Sequence, residues 1–174
     1  MVDTHTSIYI ANLRKYNEGY LVGGWLPLPT TEDELQEFLE DVVQIDDEHE
    51  EYAIHDYETY LDIKIGQYDD IMELSDQIEI IEGFNYYEYG ALQAYLESES
   101  SDLGDAIECV KRGHYTYFSD IDNYSDLGKR FFNEYGYASE VSEPMREYID
   151  FKKLGEDYGE NGTITGFGYF EVTN

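Results

Sequence analysis

The sequence predicts an α+β fold laid out as an elongated row of three small domains. An α+β domain covers residues 1–65, a helical domain 66–112 and a second α+β domain 113–174. Two observations carry this reading. Strand-like alternation and turn residues occur near both ends of the chain, whereas the middle shows only helical spacing. The chain is also 41% hydrophobic, with 19 Tyr and 8 Phe among 174 residues, which is too aromatic for a disordered acidic tail despite a net charge of −30.

Residues 7–13 (Ser-Ile-Tyr-Ile-Ala-Asn-Leu) read as a strand. Residues 20–28 read as a second, with Gly23-Gly24 suggesting a bulge and Pro27 and Pro29 ending it. A helix follows. Thr31 is its N-cap, Glu34 stands three residues on as in a capping box, and Leu35, Phe38, Leu39, Val42 and Val43 share one face. Residues 52–58 and 61–65 look like strands. Between 68 and 112 three helices are marked by Ile71, Leu74, Ile78 and Ile81, then by Ala91, Leu92, Tyr95 and Leu96, then by Leu103, Ala106, Ile107 and Val110. Beyond Gly113 the spacing predicts a strand over 114–118, a helix over 125–135 and a helical stretch over 143–158 interrupted near Phe151. A closing strand over 163–172 is launched by a turn at Asn161-Gly162.

Charge is distributed unevenly. From Tyr16 to Val110 there are 27 Asp and Glu and one Lys or Arg, Lys64, a net −26; the rest of the chain carries about −4. Such unpaired acid destabilises a compact state by self-repulsion, so it is best explained by a basic partner outside the protein. The acidic surface comprises Glu32, Asp33, Glu37, Glu40 and Asp41 on the first helix, and Asp46, Asp47, Glu48, Glu50 and Glu51 after it. Asp56, Glu58, Asp62 and Asp69 follow around the next strands. Asp70, Glu73, Asp76, Glu79 and Glu82 fall on the second helix, and Glu88, Glu97, Glu99, Asp102, Asp105 and Glu108 on the two after that. On the second helix the acids recur every third residue, a rise of about 4.5 Å per step. One DNA strand presents a phosphate every ~3.4 Å. At duplex spacing, 26 charges match about 44 Å of helix axis. The natural counterpart is a groove built for nucleic acid.

The same composition excludes other classes. A chain this acidic binds neither nucleic acid nor anionic lipid directly. With no signal-peptide pattern at the N-terminus, no apolar run of membrane-spanning length and one cysteine, the expectation is a soluble cytoplasmic protein without a disulfide. Asp157, Asn161, Gly162 and Ile164 sit where an EF-hand loop needs positions 1, 5, 6 and 8, but positions 3 and 12 are Gly159 and Gly168. His49 and His55 lie among acids as polar surface. Cys109 reads as buried beside Val110, and Gly166-Phe-Gly168 as strand backbone. Lys129-Arg130 and Lys152-Lys153 read as partners for acids, within the chain or at a subunit interface. No nucleophile, base and orienting group stand together, so neither catalysis, a cofactor nor a metal is expected.

The opening Ile8-Tyr-Ile-Ala-Asn-Leu-Arg-Lys-Tyr-Asn-Glu-Gly-Tyr-Leu-Val-Gly-Gly-Trp-Leu-Pro-Leu-Pro29, followed by an acidic helix, resembles the ArdA antirestriction family. So do Asp126-Leu-Gly-Lys-Arg-Phe-Phe-Asn-Glu-Tyr-Gly-Tyr137, Ile149-Asp-Phe-Lys-Lys-Leu-Gly155 and the terminal Gly168-Tyr-Phe. The resemblance implies an elongated three-domain protein, paired as a curved homodimer, that mimics bent DNA in the DNA groove of type I restriction-modification enzymes. It implies carriage by conjugative plasmids or transposons and protection of incoming DNA. It places Asp126, Leu127, Gly128, Phe131, Phe132, Tyr135 and Gly136 in a segment tied to antirestriction and subunit contact, from whose family pattern Lys129-Arg130 departs. Two other classes compete with a DNA mimic. A halophile protein, acidic for solubility, would unfold at low salt. A carboxylate hydrolase would need a distinguishable pair among 40 acids.

Overall fold

The computed structural model describes residues 2–46, 51–98 and 102–173. The chain divides into two compact units, Met1–Asn85 and Tyr86–Asn174. The helical stretch expected over 66–112 contributes its first helix to the first unit and its other two to the second.

The first unit is built on an antiparallel sheet in the order β2-β1-β3, with β1 at Thr6–Asn12, β2 at Gly23–Leu28 and β3 at Tyr52–Glu58. Alternation along each strand makes the two faces different. Ile8, Ile10, Leu26, Leu28 and Ile54 are buried, while Trp25, Pro27, Asp56 and Glu58 face out. Pro27 lies within β2 rather than ending it, and β2 is an edge strand, where a missing N–H is tolerated. Gly23 and Gly24 pair regularly with Ala11 and Ile10; the irregularity is in the other ladder, between Tyr9 and Ile10 against β3. The glycines answer a packing need instead. A Cβ on Gly24 would stand 2.7 Å from Val42 Cγ1, because the following helix crosses there.

That helix, α2, runs Glu32–Phe38 and has the expected capping box: Glu34 N donates to Thr31 Oγ1 (3.3 Å), and Thr31 N donates to Glu34 Oε2 (2.9 Å). These donors hold the Glu34 carboxyl below its ordinary pKa, the Thr31 backbone N–H first and its hydroxyl second. The chain continues as a π-type turn over Leu39–Val43 and ends with Gln44 in the left-handed region. Widening the turn keeps Leu39 and Val43 buried but rotates Val42 out, to 39% exposure, off the face that simple helical spacing gives it. Helix α3, Ile71–Glu82, buries Ile71, Leu74, Ile78 and Ile81 as its spacing predicts. Ser75, also buried, donates to Thr30 O (2.7 Å) and accepts from Thr30 N (2.6 Å), tying α3 to the entry of α2.

Asn12 is the polar centre of this unit and is fully buried. Its Oδ1 accepts from Lys15 N (3.0 Å), capping α1 (Leu13–Asn17), a helical turn not foreseen from the sequence. Its Nδ2 donates to Val43 O and Gln44 O (3.2 Å each), satisfying the end of the π-type turn. Asn12→Ala removes the cap and leaves two carbonyls without this donor. The expected loss is about 2–3 kcal/mol in urea unfolding with an unchanged m-value. A loss under ~0.5 kcal/mol would contradict this role. Residues 18–20 close α1, with Tyr20 N donating to Lys15 O (2.9 Å), so the expected start of β2 at Tyr20 is displaced to Gly23. The strand expected over 61–65 is also absent. Leu61 and Ile65 are buried, but this segment has no ladder with β3; the nearest such contact is Ile54 N to Gln67 O (3.0 Å).

The second unit contains α4 (Tyr86–Ser98), α5 (Leu103–Arg112), β4 (Tyr115–Phe118) and α6 (Tyr124–Glu134), followed by the short α7 (Tyr137–Glu140) and α8 (Glu143–Arg146). It closes with α9 (Phe151–Tyr158), β5 (Thr163–Thr165) and β6 (Gly168–Val172), and its sheet order is β4-β6-β5, antiparallel. The expected single closing strand is therefore a hairpin. Gly166-Phe167 is its loop, and Gly168, at φ +124°, takes a conformation that L side chains avoid. Ile121, Leu127, Phe131 and Tyr169 form a core cluster flanked by Phe118, Tyr124 and Ile164. Rings dominate the packing: Tyr115 stacks on Phe170 (5.7 Å between centroids), and Phe118 on Tyr169 (6.0 Å). Cys109 is half-buried rather than buried, its Sγ 3.7 Å from His114 O.

Burial, then the Glu171 carboxylate that accepts its hydroxyl (2.8 Å), pushes the Tyr169 phenol up; burial and then Tyr87 do the same for Tyr115 and Tyr117. A raised phenol pKa contributes stability that is complete below the unfolded value, about 10, and is lost as pH rises through the folded one. Tyrosinate absorbance followed with circular dichroism should show a late-ionising class that titrates as the second unit unfolds. A single class ionising with native dichroism intact would refute this.

Candidate functional site

The acidic surface is displayed by both units. Of the 23 acids between Tyr16 and Val110 that are described, 21 are exposed; Glu82 and Glu88 are half-buried. On α2 and its π-type turn, Glu32, Asp33, Glu37, Glu40 and Asp41 all point to solvent, and Gln36 Nε2 donates to Glu40 Oε1 (2.6 Å). Glu32, Asp33 and Glu34 occupy the first turn, where the helix dipole favours them, but Glu40 and Asp41 stand at the unfavourable end. Asp46, Glu51, Asp56, Glu58, Asp62 and Asp69 are exposed around β3 and the loop after it, as are Glu97, Asp102, Asp105 and Glu108 in the second unit. Asp47, Glu48, Glu50, Glu99 and His49 lie outside the described residues.

Several of these carboxylates also hold the fold. Asp70 caps α3, accepting from Met72 N (2.9 Å) and Glu73 N (3.0 Å), and Asp102 caps α5 through Gly104 N (2.8 Å) and Asp105 N (3.2 Å). Asp69 accepts from Gly66 N (2.7 Å), Glu82 from the Thr4 hydroxyl (3.3 Å), and Glu97 from Gly166 N in the hairpin loop (2.8 Å). Glu73, Asp76 and Glu79, by contrast, line the solvent side of α3 opposite its buried stripe. Carboxylates are acceptors without donors, so this surface suits a partner that brings N–H groups and positive charge.

Most of the bases pair with nearby acids. Lys129 pairs with Asp126 (3.2 Å), Arg130 with Asp120 and Glu134 (3.0 Å each), Lys152 with Glu156 (3.5 Å) and Lys153 with Asp157 (3.7 Å), all within the second unit. Arg112 pairs with Glu108 and Arg14 with Glu18. Exposed pairs of this kind contribute little to stability, about 0–1 kcal/mol each, but they offset part of the acid in residues 113–174, where the acids are far less one-sided than between Tyr16 and Val110. Among the described residues no three His, Cys, Asp or Glu converge as a metal site, and no helix is long and apolar enough to cross a membrane.

The 126–137 segment forms α6 and the turn after it. Leu127, Gly128, Phe131 and Phe132 are buried in the chain's own core, against α9. Asp126 is half-buried, accepting from Asn123 Nδ2 (2.7 Å), while Tyr135 and Gly136 are exposed. Tyr135 joins an aromatic cluster missed at the sequence level: Phe131 stacks on Tyr158 (4.8 Å), and the Tyr137 and Tyr158 hydroxyls meet at 2.5 Å. A second feature missed there is a cleft of about 440 Å³ lined by Trp25, His5, Glu58 and Glu82 among others. Apolar residues at 8, 10, 26 and 28 alternating with Ser7, Tyr9, Trp25 and Pro27 signalled an outward face, but not which strands would meet on it.

The family model "Antirestriction protein (ArdA)" matches residues 8–171, nearly the whole chain. No curated protein matches significantly. The chain belongs to the ArdA antirestriction family.

Proposed function

We propose that this chain, as an ArdA-family member, is a DNA mimic: a stoichiometric inhibitor that occupies the DNA-binding groove of type I restriction-modification enzymes. Family membership implies antirestriction and interaction with these enzymes, and the family's proteins are inhibitors rather than catalysts. The observation that carries the mechanism is the exposure of 21 described acids on a 95-residue stretch whose only Lys or Arg is Lys64. A groove that binds DNA is lined with Lys and Arg for phosphate, and a carboxylate surface at comparable charge density competes for the same side chains. Nothing in this reading needs a cofactor. The three-domain row and a homodimer belong to the proposal too. Within the 126–137 segment the contact would run through exposed Tyr135 and Gly136, with the buried residues shaping it from beneath. On this reading the cell gaining protection is one receiving DNA from a mobile element.

The test is competition. Protein titrated into a type I enzyme bound to labelled duplex should displace the DNA at one inhibitor unit per site, and raising salt from ~50 to ~200 mM should weaken it by at least tenfold. Displacement insensitive to salt, or none at any salt, would defeat the mimic. A melting curve at low salt separates the halophile alternative, which requires unfolding there.

A further inference from the structure

On the outward face of the first unit's sheet, cross-strand register sets unlike groups side by side. Ser7 pairs with Pro27 on one side and Glu58 on the other, and Tyr9 pairs with Trp25 and Asp56. Ser7 is small, so the floor between the β2 and β3 side chains stays open. The result is the 440 Å³ cleft, within the range of ligand pockets. Trp25 walls it, 43% exposed and held edge-on by the Tyr9 ring (5.5 Å). Glu58, Asp3 and Glu82 bring three carboxylates to its lining. His5, another lining residue, stacks on Tyr60 (4.8 Å), extending the aromatic surface.

We infer that this cleft takes an arginine side chain of the basic partner, a reading that rests on the proposed function and names what the surface recognises at this point. A guanidinium is planar and weakly hydrated. It stacks on an indole face while its edge donates two parallel N–H groups to a carboxylate. An ammonium is a compact, strongly hydrated point charge, and gains less from the ring. Any exposed carboxylate can take the guanidinium fork, but only here does an exposed indole stand beside carboxylates and add stacking to it, so the arginine preference should be concentrated at this cleft. Glu58 is the carboxylate positioned to receive the guanidinium, because Glu82 already accepts the Thr4 hydroxyl and Asp3 accepts His5 N (3.0 Å).

Trp25 is the chain's only tryptophan, so its fluorescence reports this cleft alone. Oligo-arginine and oligo-lysine peptides of equal length are titrated into the full chain. Oligo-arginine should reach half-saturation at about five- to tenfold lower concentration. Glu58→Gln should reduce that preference to under about twofold, whereas Glu160→Gln, an equal charge loss in the second unit, should leave it intact. Equal half-saturation for the two peptides, no Trp25 response, or the same loss from Glu160→Gln would overturn the inference. Salt-sensitive displacement of DNA without arginine preference would sink the cleft and keep the mimic. Arginine preference without displacement would keep the cleft and sink the mimic.

Discussion

Gly128→Ala should lower the melting temperature of the second unit by roughly 10–20 °C. Helices α6 and α9 touch backbone to backbone: a Cβ on Gly128 would overlap Phe151 O, and one on Gly155 would overlap Tyr124 O. Neither obstacle is the end of a flexible side chain, so the helices must separate. Overpacking a core costs about 1–3 kcal/mol and sometimes more. Here separation also loosens Leu127, Phe131 and Phe132, so the upper end applies; each kcal/mol is worth about 4–8 °C in a domain this size. Gly155→Ala should act alike, and the double variant should fall short of additive, because either methyl has already parted the same pair. Gly113→Ala is the contrast. It has φ +68° with nothing within 4 Å, so only conformational strain of about 1 kcal/mol is at stake. A Gly128→Ala protein melting within ~2 °C of the parent would disprove the close approach. The consequence for function is specific. Loss of antirestriction on changing Leu127, Gly128, Phe131 or Phe132 should track loss of folding, whereas Tyr135→Ala should leave the melting temperature nearly unchanged, so any loss of activity there would be a surface effect.

Local chemistry was legible from sequence where short-range rules decide the outcome. Thr31 and Glu34 announce a capping box from four residues, and Ile71, Leu74, Ile78 and Ile81 mark the buried stripe of α3. The misreadings have long-range causes. Leu61, Ile63 and Ile65 alternate like a strand, but a strand needs a ladder, and residues 61–65 do not pair with β3. Val42 has helical spacing, yet the π-type turn changes the period beneath it, and that turn is set by Asn12 reaching Val43 O and Gln44 O from another element. In the hairpin, Gly166-Phe167 reads equally well as strand backbone until Gly168 turns over. The acids were readable because charge belongs to composition, not fold. Which of them also bind backbone was not: Glu97 reaches Gly166 across 69 residues, and Glu82 reaches Thr4 across 78. The Trp25 cleft depends on cross-strand register, which alternation leaves open.

Neutralising Glu73, Asp76 and Glu79 together, to Gln, Asn and Gln, should have opposite effects on folding and on binding. These three are exposed, sit at successive i, i+3 steps and are free of the capping duty that Asp70 performs. Like charges at that spacing destabilise a helix by about 0.2–0.5 kcal/mol per pair. Removing the Glu73–Asp76, Asp76–Glu79 and Glu79–Glu82 pairs, less the support that Glu73 draws from the helix dipole in the first turn, should therefore raise the melting temperature by about 2–4 °C. Against a basic groove the same three charges each contribute about 0.5–1 kcal/mol at low salt, so the triple variant should inhibit a type I enzyme about 10- to 100-fold less well. Glu79→Gln alone should cost only about two- to fivefold. The gap should narrow as salt rises, because screening removes the same term. Residues kept for structure destabilise when removed; residues kept for a partner do the reverse and take binding with them. A triple variant that melts lower would place these acids in the fold. One that melts higher and inhibits as the parent does would make this face of α3 plain solvated surface. Only stabilisation together with salt-dependent loss of inhibition fits a surface whose repulsion is tolerated because a partner's cations relieve it.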